Sequence, residues 1–489
     1  MRLLVYGAIL LAVAGVPTWA RCSASDSAAA IEGLRNRLKA LLQPLERRAQ
    51  VGVVVADRTG RLLFEQNARL PLTPASTTKL FWTVAALATL GDSAAVVTRV
   101  VAGAAADAQG TIHGDLYVVG GGDALLTVQE LEEIAAQLAR QGVRRVTGSV
   151  LADGSLFDEE RYRLQYSGDT DVVQPLPPIT ALGFNRNEVR VVVSAVRGRL
   201  TAQTVPLSPA FIVDVSRLRC IPVRRKGRRA VRAVIRVRSF LKGSVQRIVL
   251  SGRVPAEGAW SVSVPMEAPE IATAATFLQR LRAAGVRVGG GFGMGAYRGG
   301  GVVLAEYRRP LAEVIAAVNK ESDNFVAEHL FKLVGAVVRG ESSHAQRARM
   351  VLQRLLEQWG IPCAECRLRD GSGLSRHNRV SAADLVMLLA RALQAPFAGA
   401  LLRSLAVSGV DGTLKRRLGQ EESRGRCWAK TGTLRNVSAL AGYVVTADQD
   451  SLLFAILSFG YVARAKAVED SLVATLGRFS FCHPLPQSQ

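Results

Sequence analysis

Histidine and cysteine are both scarce in this 489-residue chain, with five of the first and six of the second. The histidines are widely scattered and form no cluster with metal-ligand spacing. The cysteines are Cys22, Cys220, Cys363, Cys366, Cys427 and Cys482. Cys363 and Cys366 form a C-x-x-C, but no second such pair completes a zinc site, and no adjoining βαβ pattern suggests a thioredoxin-like redox motif. A local structural disulfide is the expected role. Cys427 has no nearby histidine and reads as core or disulfide rather than nucleophile. The "GGGD" of Gly120 to Asp123 lacks G-x-G-x-x-G spacing, so a turn is expected there and not a nucleotide site. There is no tandem repeat. Acidic residues are few: 40 against 62 basic ones, for a formal net charge of +22. That balance favours an anionic partner such as nucleic acid, acidic lipid or a wall polymer, and says nothing of fold.

Arg2, an apolar run from Leu3 to Val16, and small residues at Ala20 and Ala24 have the layout of a secretory signal peptide over residues 1–24. The run is short for a membrane span, and Arg21 before Cys22 does not suit a lipoprotein cleavage site. The expectation is a soluble, exported, periplasmic chain; the alternative is a retained anchor. Cleavage after Ala24 leaves five cysteines, so at least one lacks an intramolecular partner. Export argues against nucleic acid and leaves weak adsorption to an anionic envelope surface as the use of the charge. At 49% hydrophobic and 21% charged the composition is globular, and the length exceeds one ordinary domain.

Ile31, Leu34, Leu38, Leu41, Leu42 and Leu45 recur at helical spacing, and two strands follow around a turn at Asp57 to Gly60. Leu80, Val84, Leu87 and Leu90 give the next helical face, which Gly91 ends. From about residue 95 the pattern turns to short glycine-broken strands, then an amphipathic helix, a glycine stop and a strand over 128–158. Residues 188–300 alternate as β-strands, as in Val231 to Arg238, with the basic run Arg224 to Arg229 beside them. That run reads as a solvated strand face or a contact to an anionic wall. The glycine-rich stretch near residue 295 reads as a linker. Helices return from about 310 to 420, then three strands and a final helix at about 462–478. The two ends therefore look like one α/β domain interrupted by a β-rich insert.

Ser76 opens the helix that carries Lys79, and positions three apart share a helix face. A serine nucleophile needs a base, and a lysine serves if burial lowers its proton affinity. A helix start also offers backbone N–H groups to an oxyanion. The plain alternative is that Ser76 is an N-cap. A second S-x-x-K, Ser239 to Lys242, lies in strand-like sequence without a helix start. The constellation decides: Ser322-Asp323-Asn324 occurs once, between two helical runs, and Lys430-Thr431-Gly432 occurs once, in a strand. Ser-x-x-Lys, Ser-x-Asn and Lys-Thr-Gly, in that order, are the motifs of penicillin-binding proteins and related β-lactamases. Gly432 would let a substrate backbone approach the strand closely. Alone, Ser322 reads as another cap and Lys430 as a solvated strand lysine.

The chain resembles the D-alanyl-D-alanine carboxypeptidase/endopeptidase family, the class C low-molecular-mass penicillin-binding proteins (peptidase family S13). The likeness is carried by "PASTTKLFWTVAALATLG", "GDLYVVGGGDALLT", "GSVLADGSLFD", "ESDNFVAEHL", "RDGSGLSRHNRVSAADL" and "AKTGTLRNVSALAGYV". It implies an α/β (α+β) serine penicillin-recognising transpeptidase/β-lactamase-like fold, an antiparallel sheet flanked by helices. The catalytic domain would take residues 25–94 and 301–489. A β-rich inserted domain would take 95–118 and 190–300, with a small α/β domain nested in it over 119–189.

The resemblance also implies roles. Ser76 would attack the penultimate D-Ala carbonyl, Lys79 would take its proton, and Ser322 would relay that proton to the leaving amine. Asn324 would fix Lys79 and the substrate amide. Lys430 would keep the field positive. Lys430, Thr431 and Thr433, with Gly432 between them, would meet the terminal carboxylate, and the N–H groups of Ser76 and Thr433 would form the oxyanion hole. Arg376 would face the substrate's free side chain, with Asp169 or Asp171 as an acidic partner. For Arg376 a structural ion pair, and for the two aspartates a plain surface loop, are the competing readings. No metal or cofactor is implied. The expected enzyme is a serine DD-peptidase acting on peptidoglycan stem peptides and cross-links, and acylated by β-lactams. The alternatives are a β-lactamase on the same scaffold and a non-catalytic wall-binding protein.

Overall fold

The computed structural model describes residues 24–221, 232–338, 340 and 343–482. The expected signal peptide up to residue 23, Cys22 and the basic run Arg224 to Arg229 lie outside the described residues. Among the described residues no helix is long and apolar enough to cross a membrane. The chain divides into two compact units.

One unit gathers the described residues before 95, residues 163–175, and those from 310 on. Its centre is a six-stranded sheet in the order Ala406–Val407, Cys427–Leu434, Val437–Val445, Ser451–Phe459, Gln50–Asp57, Leu62–Gln66. Every pairing is antiparallel. All of Val437–Val445 is buried, and of Ser451–Phe459 only Phe459 is exposed. Such unbroken apolar strands need cover on both faces. On one face Leu34, Leu38, Leu42 and Leu45 of the helix Ala24–Glu46 join Val468, Leu472 and Leu476 of the helix Val462–Arg478 in one core with Val53, Leu440 and Ile456. Each such leucine contributes roughly 1.5–3 kcal/mol on leaving water. The helix Ala382–Leu393 packs against the sheet as well, and Tyr443 donates its hydroxyl to Leu389 O at 3.1 Å.

The helix Thr78–Leu90 is buried from Thr78 through Leu87, as a helix that is apolar all round must be. Asn324–Ala336, Leu311–Asn319 and His344–Gln358 pack against it. Trp82 meets Phe331 edge-on, with ring centroids 4.5 Å apart.

The other unit comprises residues 95–162 and 176–309. A five-stranded sheet runs Phe292–Met294, Val150–Asp153, Leu116–Val119, Ala95–Ala102, Val302–Pro310, accompanied by the helices Val128–Arg140 and Pro269–Ala283. Residues 188–265 form two three-stranded sheets, Gly258–Pro265 with Glu188–Val196 and Arg199–Val205, and Phe211–Ile221 with Val245–Pro255 and Val234–Lys242.

Four expectations differ here. The nesting is reversed: the α/β part is interrupted by the β-rich stretch 188–265, because strands on either side of that stretch pair in one sheet. Residues 163–175, expected in the small nested domain, belong to the first unit. Within 188–300 the helix Pro269–Ala283 was unforeseen; its first-turn proline suits a helix start, and its buried face is largely Ala and Thr. The stretch near 295 is no linker. Phe292–Met294 pairs parallel with Val150–Ala152. A Cβ on Gly290 would come within 2.7 Å of Gly148 O, so that glycine marks close strand packing rather than looseness.

Candidate active site

Pro74 to Thr77 forms a tight turn ahead of the helix. Ala75 has φ +48, in the left-handed region that costs a non-glycine residue about 1 kcal/mol or more. A 3-10 turn over Ala75–Thr77 then feeds Thr78–Leu90. Neither helix start has a side-chain cap, so Ser76 is not the N-cap it resembles. Its Oγ instead accepts a hydrogen bond from Lys79 Nζ at 2.9 Å.

Lys79 is wholly buried. Its Nζ also donates to Asn324 Oδ1 at 2.7 Å and to Ser372 O at 2.5 Å. Burial lowers its pKa to about 7, against the opposing pull of Asp370 and Glu328. An amine at that value is neutral in a large share of molecules near neutral pH, and a neutral amine accepts a proton.

Asp323, not Ser322, caps the helix Asn324–Ala336, accepting from Val326 N at 3.0 Å. Ser322 sits just before it with φ +58. Lys430 Nζ reaches Ser322 Oγ at 2.8 Å and its own neighbour Thr431 O at 2.9 Å. Lys430 is as buried as Lys79, not a solvated strand lysine. Burial, and then the charge of Lys79, hold its pKa well below that of an ordinary lysine. Two neighbouring ammonium groups are costly in so dry a place, which qualifies the expectation of a standing positive field at Lys430. Thr431 Oγ1 lies 2.9 Å from Thr413 Oγ1, Asn324 Nδ2 donates to Gln174 Oε1 at 2.6 Å, and Thr433 is exposed.

The strand Cys427–Leu434 passes beside the Ser76 turn. A Cβ on Gly432 would stand 2.7 Å from Pro74 O and 3.1 Å from Ala75 Cβ. The space at Gly432 is therefore filled by the Ser76 turn, a tighter constraint than the substrate approach expected from the motif. Gly373, with φ +83, has the same role from the other side, since a Cβ there would lie 2.5 Å from Ala75 C.

The D-Ala-D-Ala carboxypeptidase 3 (S13) family matches the chain over residues 34–478. The chain belongs to that family. It is thus an enzyme, a hydrolase of the serine type. The S13 chain is 31% identical over 474 residues to a D-alanyl-D-alanine carboxypeptidase of Actinomadura sp., with 94% of this chain and 87% of that protein covered. It is 26% identical over 476 residues to the D-alanyl-D-alanine carboxypeptidase DacB of Haemophilus influenzae, covering 93% of this chain and 92% of that one. The fold matches the crystal structure of penicillin binding protein 4 (dacB) from H. influenzae with a TM-score of 0.73 and 23% identity, over 90% of this chain and 99% of that one. A structure of the same protein complexed with a β-lactam gives a TM-score of 0.68 and 23% identity, over 89% and 97%. The expected penicillin-recognising fold is thereby found.

Residues of the S13 chain that sequence reasoning missed lie behind Lys79. Glu328, fully buried, accepts from Gly371 N at 3.0 Å, Ser372 N at 2.9 Å and Tyr166 Oη at 2.9 Å. Burial first, then Asp370, push its pKa up to about 7. Asp370 accepts from Gly373 N at 3.0 Å, Ser375 N at 2.7 Å and Asn378 Nδ2 at 2.8 Å, and faces Arg163 Nη1 at 3.3 Å. Together the two acids hold the loop that aims the Ser372 carbonyl at Lys79. The one signal in the sequence is spacing: Glu328 stands one turn after Asn324, on the same helix face.

The expected acidic partners separate. Asp169 is buried, accepting from Arg163 and from Ser375 Oγ, the latter at 3.0 Å, so it belongs to this network and not to a surface loop. Asp171 is exposed and faces Arg376 at 3.8 Å, with both side chains more than half accessible. Cys363 and Cys366 are joined by a disulfide, the local bridge expected, and Cys427 is buried in the core.

Proposed function

We propose that the protein is an exported serine DD-peptidase that removes terminal D-Ala from peptidoglycan stem peptides, opens D-Ala–diaminopimelate cross-links, or both. The observation that carries this reading is the 2.9 Å contact between Ser76 Oγ and a buried lysine whose pKa has fallen to about 7. Neutral Lys79 accepts the Ser76 proton as Oγ bonds to the penultimate D-Ala carbonyl carbon. The backbone N–H groups of Ser76 and Thr433 hold the oxyanion. Collapse breaks the peptide C–N bond, and Ser322 passes the proton from Lys79 to the departing amine. Asn324 keeps Lys79 and the substrate amide in place. Lys430, Thr431 and Thr433 receive the substrate's terminal carboxylate, whose charge favours a protonated Lys430. Water then cleaves the acyl ester, with Lys79 again as base. Arg376 and Asp171 face the side chain of the third stem residue. The chemistry requires no metal or cofactor. A β-lactam acylates Ser76 by the same first step, consistent with the β-lactam complex of the H. influenzae protein.

The test is incubation with labelled penicillin, mass spectrometry of the peptide spanning residue 76, and assay of D-Ala release and cross-link opening. A long-lived adduct on Ser76, absent from Ser76→Ala, together with either product, is expected. Rapid drug turnover would instead make the protein a β-lactamase. Protein that releases no D-Ala and opens no cross-link would be a wall-binding one.

A further inference from the structure

The sheet Phe211–Ile221, Val245–Pro255, Val234–Lys242 has one buried face, with Phe211, Leu218, Ile248, Leu250 and Val254 in the core. Its register places alternate side chains on the opposite face, where residues directly across from one another point to the same side, while Val237 and Leu241 of the edge strand are exposed on the inner side. Along the first strand that outer face carries Ile212, Asp214, Arg217 and Arg219. Arg247 and Arg253 lie on the middle strand, with Arg253 opposite both Arg219 and Val234. On the edge strand follow Val234, Arg236, Arg238, Phe240 and Lys242, with Phe240 opposite Arg247.

The face thus holds seven cations and one carboxylate, Asp214. All seven are exposed, and among the described residues none of them makes an ion pair. Asp214 is held below its usual carboxylate range, first by Ser216 and then by Arg247 and Arg217. Apolar side chains stand out between the charges: Ile212 is 47% exposed, Phe240 44% and Val234 38%.

We propose that this face is a docking surface for an anionic phospholipid bilayer. Unpaired arginines lying across one sheet face match a layer of phosphates, and guanidinium groups bond phosphate oxygens in pairs. The charge alone would suit any polyanion. The apolar residues distinguish them, because Phe240, Ile212 and Val234 gain by entering the headgroup–acyl boundary, which a water-borne polymer does not offer. Attraction of this kind is spread over the face, weak per residue, and lost with salt. The surface shares no residue with the Ser76 site, so it stands or falls independently of the peptidase chemistry.

The full chain is tested by co-sedimentation with vesicles of mixed phosphatidylcholine and phosphatidylglycerol, vesicles of phosphatidylcholine alone, and purified sacculi. Binding to the anionic vesicles alone, falling steeply with added salt, is expected. The triple variant Arg236→Gln, Arg238→Gln, Arg247→Gln binds at least about tenfold more weakly. A control with the same charge change elsewhere, Arg140→Gln, Arg282→Gln, Arg287→Gln, stays within about twofold of wild type. Phe240→Ser weakens vesicle binding about threefold or more with every charge kept. Thermal midpoint and penicillin labelling confirm that each variant folds. Equal loss in the two triple variants would reduce the effect to net charge and overturn the proposal. So would equal binding to neutral vesicles, binding indifferent to salt, or binding to sacculi without binding to vesicles.

Discussion

Lys79 Nζ lies 2.5 Å from the carbonyl oxygen of Ser372, a residue almost three hundred positions away. That carbonyl is aimed by Glu328 and Asp370, which hold the surrounding N–H groups. The two acids thereby set both the position of the amine and the field in which it titrates, since both raise its pKa against burial.

The pH dependence of acylation follows. Lys79 works as the neutral amine, and the neutral fraction grows as pH rises through about 7. The rate of penicillin acylation should climb about tenfold per pH unit below that value and level off above it. Stopped-flow labelling across pH reads the limb.

Glu328→Gln removes a carboxyl whose charged form, about half populated near pH 7, raises the Lys79 pKa, so the upper end of the limb should move modestly to lower pH. The amide offers one acceptor oxygen where the carboxylate had two for Gly371 N and Ser372 N. A stability loss of about 1–3 kcal/mol should accompany the shift. Stability loss without movement of the limb would make Glu328 structural only.

Lys79→Ala removes the proposed base and leaves Asn324 Oδ1 and Ser372 O without their shared donor. Acylation should slow by about a hundred- to ten-thousand-fold, read by labelled-penicillin kinetics on folded protein.

Gly373→Ala places a Cβ against the backbone of Ala75 at a residue with φ +83. The expected cost is about 2–4 kcal/mol, with slower acylation because the Ser76 turn is displaced. Thermal denaturation and labelling measure the two effects.

Arg376→Ala breaks only an exposed pair with Asp171, so stability should change by less than about 1 kcal/mol. Penicillin acylation should stay within about twofold of wild type. KM for stem peptides with a charged third side chain should rise about tenfold, because a charge-assisted contact is lost.

What the sequence made legible is what local chemistry requires at fixed spacing. Ser76 and Lys79 share a helix face, Ser322 and Asn324 flank a helix start, and Lys430 to Gly432 lie on a strand. Those patterns survive without knowledge of the fold. Asp370 was illegible, and Glu328 carried only its one-turn spacing from Asn324, because their importance lies in contacts across the chain. The strand Phe292–Met294 was hidden by its glycines, which signal a linker until the neighbouring backbone is seen. The reversed nesting depended on which distant strands pair, and periodicity carries no information on that.

The six-stranded sheet has a consequence for the order of assembly. Gln50–Asp57 sits between its hairpin partner Leu62–Gln66 and Ser451–Phe459, which is made about 400 residues later. Until that partner emerges from the ribosome, one edge of an apolar strand stays open, and open edges invite aggregation. The turn bearing Ser76 likewise lacks its neighbour at Gly432 until about 350 further residues have been made. A nascent chain therefore holds its hydroxyl and its lysine long before it holds a cleft, and hydrolytic activity begins only once the strand bearing Gly432 has been made.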